Sequence, residues 1–165
     1  MAFWTESTLQ PTRQFRFMIS NGLGDWWWVK SVSKPSYEIS TEEYKLINHK
    51  YKYPGVLTWN DVTLTMVDTG NKTFEFYNKL YFGGYSPDHS PLDFIPDGIS
   101  KQSSSIQLKS GDFQIRQLDD EGTAVETWTL KNPFIKSTNF GDLDYSSDEL
   151  VTLELVISYD YATLE

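Results

Sequence analysis

Apolar and polar residues alternate along most of the chain with a period of two. In DVTLTMVD, residues 61–68, Val62, Leu64 and Met66 fall on one side and the threonines between them on the other. Neighbouring side chains of a strand point to opposite faces of a sheet, so this pattern predicts a strand with one buried face. The same alternation in LVTLELVISYDY, residues 150–161, predicts the longest strand of the fold.

Two pairs of such segments are separated by turn sequences, and each pair is predicted to form a hairpin. RQFRFMIS, with Phe15, Phe17 and Ile19 expected on one face, is followed by the turn NGLGD, which contains Gly22 and Gly24, and then by WWWVKSVS. FQIRQLD and AVETWTLKN flank the turn DDEG in the same way. Short turns of this composition between alternating segments are typical of β-hairpins.

One segment changes to a helical period. NKTFEFYNKLYFGG predicts a single short helix near residues 71–82. Asn71 or Thr69 is expected to cap its start, and Gly83 to end it. The side chains expected to face the core are Phe74, Tyr77, Leu80 and Tyr81.

Strands of this length with one helix predict a single domain over residues 1–165. The predicted fold class is mainly β: a β-barrel or sandwich of two packed antiparallel sheets with one short flanking α-helix. The length suffices for one substantial core. Residues 86–105 are rich in Pro, Ser and Asp and predict a long loop.

Three consecutive tryptophans, Trp26, Trp27 and Trp28, raise a problem of burial. On a strand, Trp27 points one way and its two neighbours the other, so one face of indoles points away from the core. That face either meets another subunit, where aromatic residues are concentrated, or lies on the surface under a loop. The local sequence does not choose between the two.

Composition narrows the classes of function. Aromatic residues make up 16% of the chain, and there is no cysteine, which excludes disulfides, thiol catalysis and cysteine-ligated zinc. The net charge is −9, and a chain of this charge repels nucleic acid at long range. No run approaches the roughly 18 apolar residues of a membrane span. The first ten residues lack a basic and an apolar region, so no signal peptide is predicted.

The sequence offers little for catalysis. The two histidines, His49 and His89, lie in polar surroundings that predict loops, and no base is visible beside a nucleophile. The acidic segment GDLDYSSDE lacks the spacing of a calcium loop, so a solvated loop is preferred to a metal site there. Its acidic side chains are Asp142, Asp144, Asp148 and Glu149. A pair of carboxylates for glycoside hydrolysis would not be visible in the sequence, so a hydrolase stays as a third alternative, although nothing selects such a pair. The prediction is a protein that is not an enzyme and that has no cofactor.

A local basic patch interrupts this acidic chain. KLINHKYKYPG carries Lys45, Lys50 and Lys52 beside Tyr51 and Tyr53, a weak version of a single-strand-binding pattern. The preferred interpretation is an extended loop whose lysines meet acidic groups of a neighbouring copy.

Several stretches, in order, resemble one known family. EYKLINHKYKYPGVLTWNDVTLTMVD (residues 43–68) and WTLKNPFIKSTNFGDLDYSSDELVTLELVISYDYA (residues 128–162) resemble segments of the tail tube proteins of contractile-tailed bacteriophages. WWWVKSVSKPSYE resembles the strand after the family's first hairpin. The resemblance covers most of the chain, but not residues 85–105 or the N-terminal residues.

The resemblance implies a structural virion protein. Six copies would close into a ring, and stacked rings would form the inner tube of a contractile tail, through which DNA is ejected. The alternatives are a baseplate tube initiator or tail-end protein of the same fold, or the inner tube of a type VI secretion or other contractile injection machine.

The resemblance also divides the chain into functional segments: an N-terminal arm (1–12), an inter-ring loop (41–55) and a variable loop (85–105). The residues expected at contacts between subunits are Trp26, Trp27, Trp28, Tyr44, Tyr51, Tyr53, Pro54 and Trp59. The implied partners are further copies of the chain, the tail sheath protein, and baseplate and tail-terminator proteins. DNA would pass through the lumen without specific binding, no membrane is involved, and the protein would assemble into the tail in the host cytoplasm.

Overall fold

Two four-stranded antiparallel sheets enclose the hydrophobic core. The computed structural model describes residues 12–21, 24–85, 98–101, 108 and 113–165. In chain order, the elements are β1 (Phe17–Asn21), β2 (Val29–Val32), β3 (Ser36–Leu46), β4 (His49–Asn60), β5 (Val62–Val67), α1 (Lys72–Phe82), β6 (Phe113–Leu118), β7 (Ala124–Lys131), β8 (Phe134–Asn139), β9 (Thr152–Ser158) and β10 (Tyr161–Leu164).

The core is formed by the alternating residues of the central strands. One sheet has the order β1-β6-β7-β10 and the other β2-β5-β9-β8. Val62, Leu64 and Met66 of β5 are fully buried, as their period of two predicts. Residues of both sheets join one buried cluster, which includes Ile19, Phe113, Leu130, Leu153 and Leu155. The mainly β fold with two packed sheets and one helix is therefore confirmed. No ladder joins the two sheets in the described ranges, so they form a sandwich.

One predicted hairpin is confirmed and the other is wrong. β6 and β7 pair across the turn at residues 119–123. In contrast, β1 pairs with β6, and β2 pairs with β5 in the other sheet. The chain does reverse after β1, since the Trp26 N–H donates to the Ile19 carbonyl at 2.8 Å. It then crosses between the sheets, and in the second sheet Val29 and Val32 of β2 pack against the core. Phe15 is exposed rather than on the buried face with Ile19.

The predicted long strand at the C-terminus is two strands in different sheets. β9 ends at Ser158, and β10 begins at Tyr161 and pairs with β7. Tyr159 is the point of change, because its side chain is buried and its hydroxyl donates to the Asn60 carbonyl at 2.7 Å. The Asp160 N–H then donates to the Lys131 carbonyl and guides the chain into the first sheet. The longest strand is β4 instead.

The helix is where the sequence predicts it, but its buried face differs. Phe76 is only 3% exposed, whereas the predicted core residues Phe74, Tyr77 and Leu80 are exposed. The Phe76 ring packs edge-on against Trp26 at 5.9 Å. The helix therefore touches the sandwich along a narrow stripe. Gly83 ends the helix as predicted, since its N–H donates to the Lys79 carbonyl at 2.9 Å.

The start of the helix is capped by Asp68 rather than by the side chain of Asn71 or Thr69. The Asp68 carboxylate accepts hydrogen bonds from Thr73 Oγ1 at 2.8 Å and from the Gly70 and Lys72 N–H groups. The hydrogen bond from Thr73 contributes most to holding the pKa of this carboxyl below its ordinary value. A negative charge at a helix N-terminus is favourable because the N–H groups there lack helical partners.

We expect Asp68→Asn to lower the free energy of unfolding by about 0.5 kcal/mol at pH 7, because the amide keeps a capping oxygen but loses the negative charge at the helix N-terminus. Because the pKa is lowered in the folded protein, this contribution is present above the ordinary pKa of 3.8 and is lost as the pH falls through the folded value. Urea unfolding at pH 7 and near pH 3 measures both differences. Asp120→Asn, in an exposed turn, is the control. A difference from wild type that persists unchanged at low pH would contradict the role of the charge.

Several sequence predictions concern residues outside the described ranges. They are the loop positions of His89 and Gly22, most of the N-terminal arm and most of the variable loop 85–105. Within the part of the chain that the structure describes, no helix is long and apolar enough to span a membrane.

Candidate assembly surfaces

A long two-stranded hairpin, which we call the arm, is formed by β3 and β4. In the described ranges these strands pair only with each other. Every residue from 36 to 58 is exposed. The predicted loop 41–55 is therefore corrected: it is the distal half of a regular hairpin, with a two-residue turn at Ile47 and Asn48. A two-stranded ribbon without a buried face is only marginally stable alone in water, so contact with another protein surface would stabilise the arm.

The base of the arm is fixed to the sandwich by aromatic residues. Trp59 is half-buried, and its ring lies 6.1 Å from that of Tyr159 in the core. On its other side, Trp59 contacts Tyr37 edge-on at 5.6 Å. Trp59, one of the predicted contact residues, thus belongs to the junction between arm and sandwich.

A β-bulge divides the arm into two halves. Ile39 pairs with Leu57, and the next pair is Thr41 with Pro54, so Gly55 and Val56 stand opposite the single residue Ser40. The Val56 N–H donates to Ser40 Oγ at 2.9 Å. A Cβ at Gly55 would overlap Ser40 Oγ, so glycine fits here because the two strands approach closely.

The bulge moves the apolar side chains from one face of the arm to the other. Directly opposed residues share a face of a ribbon. Near the base, one face carries Tyr37, Ile39, Leu57 and Trp59. Beyond the bulge, the tyrosines lie on the opposite face, which carries Tyr44, Leu46, His49, Tyr51 and Tyr53. The arm can therefore contact neighbours on both of its sides.

Most charged residues of the distal arm lie on the face opposite the tyrosines; Glu42, which pairs with Tyr53, is the exception. Glu43 pairs in register with Lys52, and Lys50 Nζ lies 3.2 Å from the Glu43 carboxylate. Lys50 thus meets an acidic group of its own chain, where the sequence predicted one of a neighbour. Pro54 is on this same face, opposite Thr41. The pairing leaves the tyrosine face free of its own ion pairs.

The tip of the arm combines exposure with backbone strain. Ile47 is 95% exposed and has a φ of 49°. A positive φ at the first residue of a two-residue turn is the type II′ pattern, which favours glycine. A β-branched residue at a positive φ costs about 1–2 kcal/mol, so isoleucine at position 47 does not stabilise the turn.

Ile47→Gly should relieve this strain and raise hydrogen-exchange protection of the arm by about fivefold, equivalent to about 1 kcal/mol. At the same time, we expect weaker assembly, because an exposed apolar contact at the tip is lost. Exchange of the isolated subunit and sedimentation of assembled material measure the two effects. Asn48→Gly is the matched control. Unchanged assembly with a better protected arm would show that Ile47 makes no contact.

The three tryptophans separate into buried and exposed positions, although they do not lie on a strand. Residues 26–28 form the turn before β2. Trp26 is 8% exposed and Trp28 is partly buried, with their rings 6.3 Å apart, while Trp27 is 75% exposed. Lys72 Nζ lies 3.7 Å from the centre of the Trp28 ring, a cation–π contact that covers its outer face. Trp27 alone presents a free indole surface.

A further exposed segment lies between β8 and β9 and was missed as a contact surface. Residues 140–150 are all exposed and include the apolar side chains of Leu143 and Tyr145. Asp144 accepts hydrogen bonds from the N–H and the hydroxyl of Ser146, which fix a turn. These bonds hold the pKa of the Asp144 carboxyl below its ordinary value. In the sequence, the apolar residues Leu143 and Tyr145 among acidic residues were the available signal for this contact surface.

These surfaces carry no visible apparatus for catalysis. His49 lies on β4 rather than in a loop, with its ring 4.7 Å from that of Tyr51. In the described part of the chain, no group of three or more His, Cys, Asp or Glu side chains could hold a metal ion.

A sequence profile decides the family. The profile described as T4-like virus tail tube protein gp19 matches residues 13–163, nearly the whole chain. The chain belongs to this tail tube family. As a tail tube protein, it is a structural component and not an enzyme.

Solved structures share the fold of this tail tube protein at low identity. A chain in the extended-state structure of the PVC sheath/tube terminator, from an extracellular contractile injection system, is 21% identical with a TM-score of 0.70, over 96% of this chain and 99% of that one. The tube terminating cap of the anti-feeding prophage is 19% identical with a TM-score of 0.70, over 100% and 99% of the chains.

A more distant structure has the same fold. Hcp1 from Flavobacterium johnsoniae is 12% identical with a TM-score of 0.51, over 91% of the tail tube protein and 94% of Hcp1. At these identities the likeness concerns the fold. No curated protein sequence matches the chain.

Proposed function

We propose that six copies of this tail tube protein close into a ring and that the rings stack into the inner tube of a contractile tail. The observation that carries the proposal is the arm, whose residues 36–58 are all exposed although many are aromatic or aliphatic. An exposed apolar ribbon of this length would invite aggregation in a monomer. Contact with the next ring removes it from water.

The positions of the candidate contact residues support two kinds of interface. We place Tyr44, Tyr51 and Tyr53, on the distal face of the arm, against the adjacent ring, with Pro54 on the reverse side of the same half. Trp27 is assigned to a lateral contact, because it is the exposed member of the tryptophan triplet. Trp26, Trp28 and Trp59 support these contacts from within their own subunit.

The charge of the chain is consistent with a conduit for DNA. A net charge of −9 per copy gives an assembled tube a strongly negative field. Phosphate groups bind to lysine and arginine, and each such contact slows passage. An acidic tube would release DNA rather than hold it during ejection.

The remaining partners follow from this role. A tube of stacked rings is surrounded by a sheath protein, begins at a baseplate and ends at a terminator. We propose that the protein resides in the virion tail after assembly in the host cytoplasm.

Antibody labelling of the particles in a lysate distinguishes a phage tail from a contractile injection machine. Label on tails attached to DNA-filled heads supports a phage, and label only on headless particles supports an injection machine.

Electron microscopy of the purified protein tests the proposal directly. Tubes built of six-membered rings are the expected result. Single six-membered rings that never stack would instead assign the protein to a baseplate initiator or tail-end cap of the same fold. Monomers at all concentrations and salt conditions would contradict ring formation altogether.

A further inference from the structure

A groove with a basic rim opens between the edges of the two sheets at β1 and β2. Its volume is about 690 Å³, and the charged residues that line it in the described part of the chain are Lys30, Lys34 and Arg116. Lys34 Nζ also contacts the nearby Glu126 carboxylate at 2.9 Å. In a chain with a net charge of −9, a groove whose described charged lining residues are all cations is unexpected. We call it the basic groove.

The basic groove has apolar side chains beneath its charged rim. Phe17, Val32 and Trp128 line it, and each is only partly buried against the core. The apolar surface left open there would favour an apolar side chain entering from outside. A suitable occupant therefore combines an apolar side chain with negative charge around it.

The segment 140–150, which we call the acidic segment, has these two properties. It contains Asp142, Asp144, Asp148 and Glu149 and no basic residue. Leu143 is 87% exposed, and Tyr145 is fully exposed. An adjoining groove of about 870 Å³ adds Glu154 and is likewise without a basic side chain.

The basic groove and the acidic segment start from different edges of the sandwich. β1 and β2 are the edges of the two sheets on one side, and the groove is lined from both strands. β10 and β8 are the edges on the other side, and the acidic segment follows directly from β8. The groove beside the acidic segment extends across this sheet as far as Thr65, which pairs with Ser31 of the basic groove, so the two sites are different surfaces of one subunit.

We infer that the acidic segment of one subunit docks into the basic groove of the next subunit, with Leu143 and Tyr145 on its apolar lining. This inference rests on the proposed ring and specifies its lateral contact. Two different but complementary surfaces on each subunit give a head-to-tail interface between copies, which closes into a ring when its rotation permits. Charge complementarity also orients copies that repel each other overall.

Charge reversal on each side separately tests this pairing. The groove variant carries Lys30→Glu and Arg116→Glu, which leave the Lys34–Glu126 ion pair intact. The segment variant carries Asp142→Lys, Asp148→Lys and Glu149→Lys, which spare the turn-forming Asp144 and make the segment positive. Asp120→Lys with Glu121→Lys, in the exposed turn between β6 and β7, reverses charge outside both sites and is its control. Wild type, each variant, their mixture and a chain with both reversals are compared.

The inference predicts a specific pattern of rescue. The groove variant and the segment variant each remain folded by circular dichroism but form no rings alone, because like charges meet at every interface. Mixed in equal amounts, they form rings of alternating copies, since both kinds of interface are then complementary. The chain with both reversals assembles alone, and the control variant assembles like wild type.

Other results would overturn it. Normal rings from either single-side variant, or loss of assembly that neither mixing nor the double reversal restores, contradicts the pairing while wild-type rings still support the proposed function. Absence of rings from wild type contradicts the proposed function itself. If a reversal prevents folding, Lys30→Gln with Arg116→Gln replaces it, and ring formation should then depend less on salt than in wild type. An unchanged salt dependence would contradict the inference.

Discussion

Replacing residues 43–52 by Asn-Gly should abolish stacking and leave a folded subunit. The new turn would join Glu42 to Tyr53, a cross-strand pair in the same hydrogen-bonding phase as the present closing pair Leu46–His49, and Asn-Gly suits a two-residue hairpin turn. The removed residues contribute nothing to the core, because every one of them is exposed. We therefore expect an unchanged melting temperature and complete loss of tubes in electron microscopy, with single rings remaining.

The matched control keeps the length of the arm. Ile47→Gly with Asn48→Gly changes only the turn and retains Tyr44 and Tyr51. It should still stack, although less tightly. Normal tubes from the shortened arm would refute its assignment to the contact between rings, and a large fall in melting temperature would show that the arm supports the fold.

Of the three consecutive tryptophans, Trp26 is expected to cause the largest loss of stability when it is replaced by Ala. Its ring packs edge-on against Phe76 at 5.9 Å and Phe113 at 5.7 Å, which links the helix to the first sheet. Truncating a buried tryptophan costs about 3–5 kcal/mol, since lost contacts and a cavity add. For a chain of this size, the melting temperature should fall by about 10 °C.

Trp27→Ala and Trp28→Ala complete the comparison. Trp27→Ala should change stability by less than about 0.5 kcal/mol, because the side chain is mostly exposed, and should weaken ring formation. Trp28→Ala should fall between the other two. Calorimetry and electron microscopy on the three variants give both readings. Equal destabilisation by all three, or normal assembly of Trp27→Ala, would contradict the division into core and contact residues.

The sequence predicts those parts of the fold in which local pattern and burial agree. In β5, alternation gives both the strand and its buried face, and β6–β7 forms a hairpin because its partner is the next segment. After β1, the turn signal is real, but the sheet that the next strand joins depends on distant partners in β5 and β6. In the helix, spacing allows several stripes, and packing against Trp26 selects the one with Phe76.

The arm was the least predictable element, for a physical reason. Alternation is easily recognised when one face is buried, but the arm has no buried face. Pro54 and Gly55 resemble a turn in sequence, and in the structure they occupy or flank a bulge within a strand. The odd-numbered apolar residues from Tyr51 to Trp59 do alternate. This was the available signal for β4, although it does not reveal that the bulge changes their face.

The bulge also determines which of two registers the arm adopts. Without it, Tyr53 would stand opposite Glu43, and Tyr51 opposite Lys45, with a three-residue tip. Both registers satisfy most backbone hydrogen bonds, so the fit of Gly55 against Ser40 helps to select the observed one. In a slipped copy, Lys45 would stand opposite Tyr51 and Lys52 opposite Tyr44, so lysines would lie beside its tyrosines. A ring is defective if any one of its copies has slipped. A small fraction of slipped copies would therefore disrupt a much larger fraction of rings.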